Sequence, residues 1–345
     1  CAGGAGPDTP DRLRAAVTEP DPSPSEVPGG RTFSLEGRPA PGLYVLAWLL
    51  SFAGGALVLI GIQASPDARG QLVLLGLIAL ALGLSSGSGY QVLARAARRP
   101  PEAYRGPAPA LAFGVAATIG TAGGLLLGLL GLFDPEGASG FLIGLLVVGA
   151  GYLATVVFLV VRTGALRWSE MGWPSGPGRI ARIAWDAVFG AAVTVPVVIP
   201  VLVLAAVLAT ILGVEPTERI PTVATRFDAL LVIVAVAVVA PVGEELFFRG
   251  FALTAWQRDI GPRRALVRSA IFFALVHVLN ASGVTFGQAV GTAALQFAVI
   301  LPIGFVLGWA FQRHGIAAAI AGHVGYNGAL LLLAMAAQQV AVQSA

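Results

Sequence analysis

Three apolar stretches in the last third of the chain carry side chains that need a reason to be there. They read APVGEELFFRG with Glu244, Glu245 and Arg249, IFFALVHVLN with His277, and IAGHVGYNGALL with His323 and Asn327. An ionisable group near the centre of a membrane span costs about 2.5–3.5 kcal/mol on insertion scales, so such groups pair, line a watered cavity or do chemistry. Carboxylate, imidazole and carboxamide together are the groups a hydrolytic site draws on, a base to take a proton from water and donors to meet the charge that develops.

The spacing sorts them further. Glu245 and Arg249 are four apart, so on a helix they share a face in the favourable acid-before-base order. Glu244 then points about 100° away as the odd charge, and in a poorly hydrated site it suits a general base. His323 and Asn327 are also four apart and line one face, while His277 brings a second imidazole from the segment between. Each group also has a plainer account. The Glu-Glu-Arg set can be a charge cluster at a helix end, His277 a packing histidine, and His323 with Asn327 polar glue between helices. The chain has 3 histidines, and two of them fall in these segments, which favours a site over three coincidences. His314, beside Arg313, is expected at the surface.

The elements that must position these residues follow from composition. Of 345 residues, 56% are hydrophobic and 11% charged, under half the charged share of an ordinary soluble domain. The apolar residues come in blocks of about twenty, the length that crosses roughly 30 Å of hydrocarbon as a helix. The expected fold is therefore all-α, a polytopic transmembrane helical bundle of about eight to nine spans. Nine blocks stand out, at about 44–64, 70–92, 110–132, 140–161, 184–213, 227–248, 268–280, 287–311 and 316–338. The fifth is overlong and holds Pro196 and Pro200, which predicts a kink or break; the seventh is short. Residues 1–41 are rich in Pro, Gly, Asp and Glu without an apolar period and are expected to be disordered. The remaining division is an N-terminal membrane region, 42–183, with no assignable role, and a core at 184–340. The 1 cysteine is Cys1, which excludes a disulfide within the chain. A chain cut from a longer one is expected there, with a lipidated mature cysteine as the sharper alternative.

All 21 basic residues are Arg, spread over the connections and not gathered in a stripe, so no nucleic-acid partner is expected. Arginine-rich connections (Arg95 to Arg105, Arg162 to Arg182, Arg258 to Arg268) alternate with poor ones. By the excess of positive residues on the inner side this gives a cytoplasmic N-terminus. Counted from the proposed inner ends of their spans, Glu244 lies about 7 Å deep, His277 about 13 Å, and His323 to Asn327 about 10–16 Å. All fall in the same half of the bilayer. Pro241, just before Glu244, is expected to bend its helix and free a backbone carbonyl at depth.

At these residues the sequence resembles the CPBP family of intramembrane proteases, which includes the CAAX endopeptidases and bacteriocin-processing proteins. The family's motifs are a Glu-Glu doublet with Arg four after the second, Phe four before a His, and His four before an Asn. Here they read EELFFR (Glu244, Glu245, Arg249), FALVH (Phe273, His277) and HVGYN (His323, Asn327), in order and each on an apolar segment. The resemblance spans about residues 185–338. It implies hydrolysis of a peptide bond inside the membrane by a glutamate-activated water; the expected location is a bacterial cytoplasmic membrane. Glu244 and His277 would hold the water, His323 and Asn327 the carbonyl oxygen, and Glu245, Arg249 and Phe273 would support them. The spacing is not that of two histidines on one helix with a base between. Glu244, His277 and His323 nevertheless offer the two-imidazole, one-carboxylate set that can hold one zinc ion with an open position, so the metal question stays open. The implied substrate is a peptide or a lipidated protein presented from the cytoplasmic side.

Two other functions compete with this reading. A scaffold that binds a membrane partner without cleaving it needs none of these four groups intact. A proton-coupled transporter predicts polar groups on helices of both halves or paired repeats, and the first four blocks are nearly bare.

Overall fold

The computed structural model describes residues 34–132, 134, 136–214, 221, 223 and 225–344, and the side chains among them up to 337. The segment 1–33, with Cys1 and most of the expected disordered tail, lies outside the described residues. Among those described there is no strand, and nine helices form the bundle: α1 Pro41–Gln63, α2 Pro66–Arg98, α3 Pro109–Leu129, α4 Ala138–Val161, α5 Arg179–Leu212, α6 Arg226–Ile260, α7 Pro262–Val278, α8 Phe286–His314 and α9 Ile316–Ser344. Eight are long and apolar enough to cross a membrane; α7, at 17 residues or about 25 Å, is the exception. The protein is a polytopic helical bundle.

The arginine-bearing connections meet at one end. Arg99, after α2, pairs with Asp259 at 2.9 Å, and Arg258 pairs with Glu170, between α4 and α5, at 2.7 Å. Burial alone would raise the Glu170 carboxyl, but hydrogen bonds from the backbone and side chain of Arg167 and the charge of Arg258 outweigh it and hold the group below its ordinary value. At the same end the Ile316 amide donates to the Gly172 carbonyl and the Gln312 side chain to Pro262.

Two helices break where proline dictates. In α5 the α-helix ends at Thr194, a 3-10 turn covers Val195–Val197 around Pro196, and the α-helix resumes at Val198. In α6 a π-helical stretch, Val234–Val239, precedes Pro241, and a second, Leu246–Leu253, follows Glu245. Such widened turns recur at functional sites. With them α6 runs to Ile260, a dozen residues beyond the end expected near 248, so depth has to be counted from another level. A Cβ on Gly250 would lie 3.6 Å from the tip of Ile316, so that level marks the start of α9. Glu244 stands six residues before that level on α6, and His323 lies about 10 Å below it on α9.

The core gathers on α6. Phe247, Phe248 and Phe251 are fully buried and packed against Phe113 of α3, Tyr152 of α4 and Phe272 and Phe273 of α7. On the other side α5 presses on α9, where a Cβ at Gly190 would overlap the Ala318 carbonyl and the Thr194 hydroxyl donates to Gly322 at 2.8 Å. His314 is not the surface residue expected of it. Its Nδ1 is 2.9 Å from the buried Asp186 of α5 and its ring stacks on Phe189 at 3.8 Å, because α8 ends against α5 and not in an open loop.

Candidate active site

The six-residue α-helical stretch Ala240–Glu245 between the two π-helical ones presents its two carboxylates to different surroundings. The Glu244 side chain is 21% exposed, whereas that of Glu245 is sealed. A Glu245 oxygen, Oε1, accepts from Arg249 at 2.6 Å and is 2.8 Å from Nδ1 of His323. The Arg249 guanidinium, also fully buried, lies over the Phe273 ring at 4.0 Å and reaches the Gly304 carbonyl at 3.4 Å. Helix α6 is thereby tied to α7, α8 and α9 through one ion pair. Glu245 Oε2 and Arg249 Nε have no hydrogen-bond partner among the described residues.

Glu244 faces the other way, toward the two imidazoles. Its Oε2 is 4.0 Å from Nε2 of His277 and 3.9 Å from Nε2 of His323. Each ring is oriented by its other nitrogen: Nδ1 of His277 is 2.7 Å from the Phe273 carbonyl, and Nδ1 of His323 is on Glu245. A carbonyl accepts only, so His277 donates from Nδ1 and in its neutral form turns an Nε2 lone pair toward Glu244. The Phe273 ring packs near both imidazoles, 4.5 Å from His277 and 5.9 Å from His323.

Asn327 does something else. Its amide donates to the Val236 carbonyl at 3.0 Å. Val236 lies in the π-helical stretch five residues before Pro241, which has no N–H to offer that carbonyl; the side chain supplies the donor the backbone lacks. The structure thus brings Glu244, His277 and His323 together, sets Glu245, Arg249 and Phe273 behind them, and engages Asn327 one turn along α9. Tyr152 of α4 was not anticipated. Its ring would lie 3.5 Å from a Cβ on Gly243, beside Glu244, and the one hint in the sequence is a phenol in an otherwise apolar block.

The donor set suits zinc chemically, but its spacing as placed does not. Two ligand atoms on a tetrahedral zinc at about 2.0–2.1 Å stand about 3.4 Å apart. The separations of 3.9 and 4.0 Å are wider, and among the described residues no group of three His, Cys, Asp or Glu is placed to hold a metal ion.

Compared with known proteins, residues 226–329 match the family model described as type II CAAX prenyl endopeptidase Rce1-like. No curated protein and no solved structure matches the chain. Helices α1 to α5 lie outside the match, and the seven site residues fall inside it. The segment 226–329 is thus similar to the Rce1-like type II CAAX prenyl endopeptidases.

Proposed function

We propose that the chain is an intramembrane endopeptidase in which Glu244 activates water against the peptide bond of a membrane-associated or lipidated substrate. The observation that carries this is the partly accessible Glu244 carboxylate facing two imidazoles whose remaining nitrogens are already fixed. A water between them donates one proton to Glu244 and the other to Nε2 of His277. Its oxygen attacks the carbonyl carbon as Glu244 takes the first proton. The oxyanion accepts from Nε2–H of His323 in its doubly protonated form, for which Glu245 is the counter-ion. Glu244 then passes its proton to the amide nitrogen, the C–N bond breaks, and a carboxylic acid and an amine leave.

Glu245 and Arg249 hold His323 in that role. Asn327, expected from the sequence at the oxyanion, we assign to pinning α9 against α6. The core we propose is 184–340, wider than the matched segment, because α5 presses on the helix that carries His323. The arginine-rich end faces the cytoplasm by the positive-inside rule, and the substrate enters from there.

The test is cleavage of quenched peptides and lipidated C-terminal peptides by the purified chain, with and without added zinc or a chelator. Glu244→Gln is expected to lower turnover by about 10²–10⁴-fold at an unchanged melting temperature. Cleavage that survives Glu244→Gln would sink the mechanism, and loss of wild-type activity to a chelator would put a metal where the water is drawn.

A further inference from the structure

We propose that a cavity between the α2–α3 connection and α7 is a binding site for an anionic phospholipid. The cavity, about 900 Å³, opens at the arginine-rich end of the bundle. Its rim carries Arg95, Arg99, Arg263, Arg264 and Arg268 against a single carboxylate, Asp259. That carboxylate is taken by Arg99 at 2.9 Å, and Arg95 is spent on the Gly106 carbonyl at 2.6 Å. Arg263, Arg264 and Arg268 have no acidic partner among the described residues; Arg268 lies over the Trp256 ring at 5.4 Å.

Below the guanidiniums the lining turns apolar in register. Val267, Ile271 and Leu275 follow Arg263 at intervals of four, so they continue its face of α7, and all are exposed. A phosphodiester at the rim with an acyl chain laid along that stripe satisfies both halves of the site. A soluble anion uses only the upper half, and a zwitterionic lipid brings its own cation to a rim already rich in them. Basic pockets between helices at a membrane interface hold anionic headgroups for this reason.

The site joins two parts of the chain that the family match separates. Arg95 is in the last turn of α2 and Arg99 follows it, whereas Arg263 to Arg268 sit at the start of the helix that carries His277 near its other end. A bound lipid bridges them and steadies α7 from the end opposite the imidazole.

The full chain, purified in detergent, is titrated by native mass spectrometry with phosphatidylglycerol, with phosphatidylcholine of the same acyl chains, and with inorganic phosphate. Phosphatidylglycerol is expected to bind at least about tenfold more tightly than phosphatidylcholine, and phosphate not to be retained. Arg264→Ala/Arg268→Ala should weaken phosphatidylglycerol by roughly 30-fold, while Arg179→Ala/Arg182→Ala at the start of α5 should leave it unchanged. Arg263→Glu, at an exposed position, repeats the test if the double variant does not fold. Equal retention of the two lipids, retention of phosphate alone, or an equal loss in the α5 variant would overturn the proposal.

Discussion

Helices α1 and α2 and helices α6, α7 and α9 solve the same problem, cohesion in a solvent as apolar as their own side chains, by opposite means. Between α1 and α2 the backbones touch. A Cβ at Gly54 would lie 2.5 Å from the Leu80 amide nitrogen, one at Gly76 would lie 2.7 Å from that of Val58, and Phe52, Leu59 and Ile60 point outward. No acidic or basic side chain interrupts the pair from Pro41 to Gln63 or between Arg69 and Arg95. In the core α6 carries an ion pair with zero exposure at either partner, whose members reach α7, α8 and α9, with aromatic rings packed around it. Close backbone packing gives cohesion without polarity. A buried ion pair is a poor way to gain stability, so its presence at the core points to what it positions.

The sharpest way to break the comparison is to remove one member of that pair. Arg249→Met leaves the Glu245 carboxylate buried with only His323 beside it, and breaking such a pair costs about 3–5 kcal/mol. The variant is expected to lose folded protein in detergent, measured by thermal unfolding. If it melts like the wild type, the pair and its reach to Phe273 of α7 and Gly304 of α8 are not what holds the core together.

A middle-sized effect should separate the regions functionally. Gly76→Val drives a side chain into the α1 backbone and is expected to cost about 1–3 kcal/mol through overpacking. Because α1 and α2 pack chiefly on one another and on α3, cleavage per folded molecule should stay at the wild-type value while the melting temperature falls. A fall in turnover at full folding would show that the N-terminal helices reach the chemistry.

How much of this was legible in the sequence also divides by region. The spans were legible because hydropathy over twenty residues is a strong signal, and the division of Glu244 from Glu245 followed from the four-residue step to Arg249. What escaped the sequence depends on partners far apart in the chain or on helix register. The π-helical stretches leave no mark in an apolar run, and α6 continues past the charge of Arg249 to Ile260, a dozen residues beyond the end that hydropathy predicts. Asn327 reads as a reactive-face residue until Pro241, 86 positions away, is seen to leave Val236 without a donor. His314 reads as a loop residue until α5 supplies Asp186. The cavity at α7 was likewise invisible, since its arginines look like ordinary inner-side charge until α2 and α7 stand side by side.

The smallest predicted effect tests the border between the regions. Thr194 donates across the α5–α9 contact to the carbonyl of Gly322, the residue before His323, and α5 lies outside the matched segment. Interhelical hydrogen bonds of this kind average about 0.6 kcal/mol in membranes, so Thr194→Val should lower the melting temperature only slightly. If α5 merely fills space, turnover will be unchanged. If it sets the height of His323 against Glu244, turnover falls several-fold while substrate affinity holds, since a small displacement of a fixed donor weakens the transition state more than the ground state. A split of kcat from KM in this variant would place α5 within the protease core, and its absence would draw the core back to the matched segment.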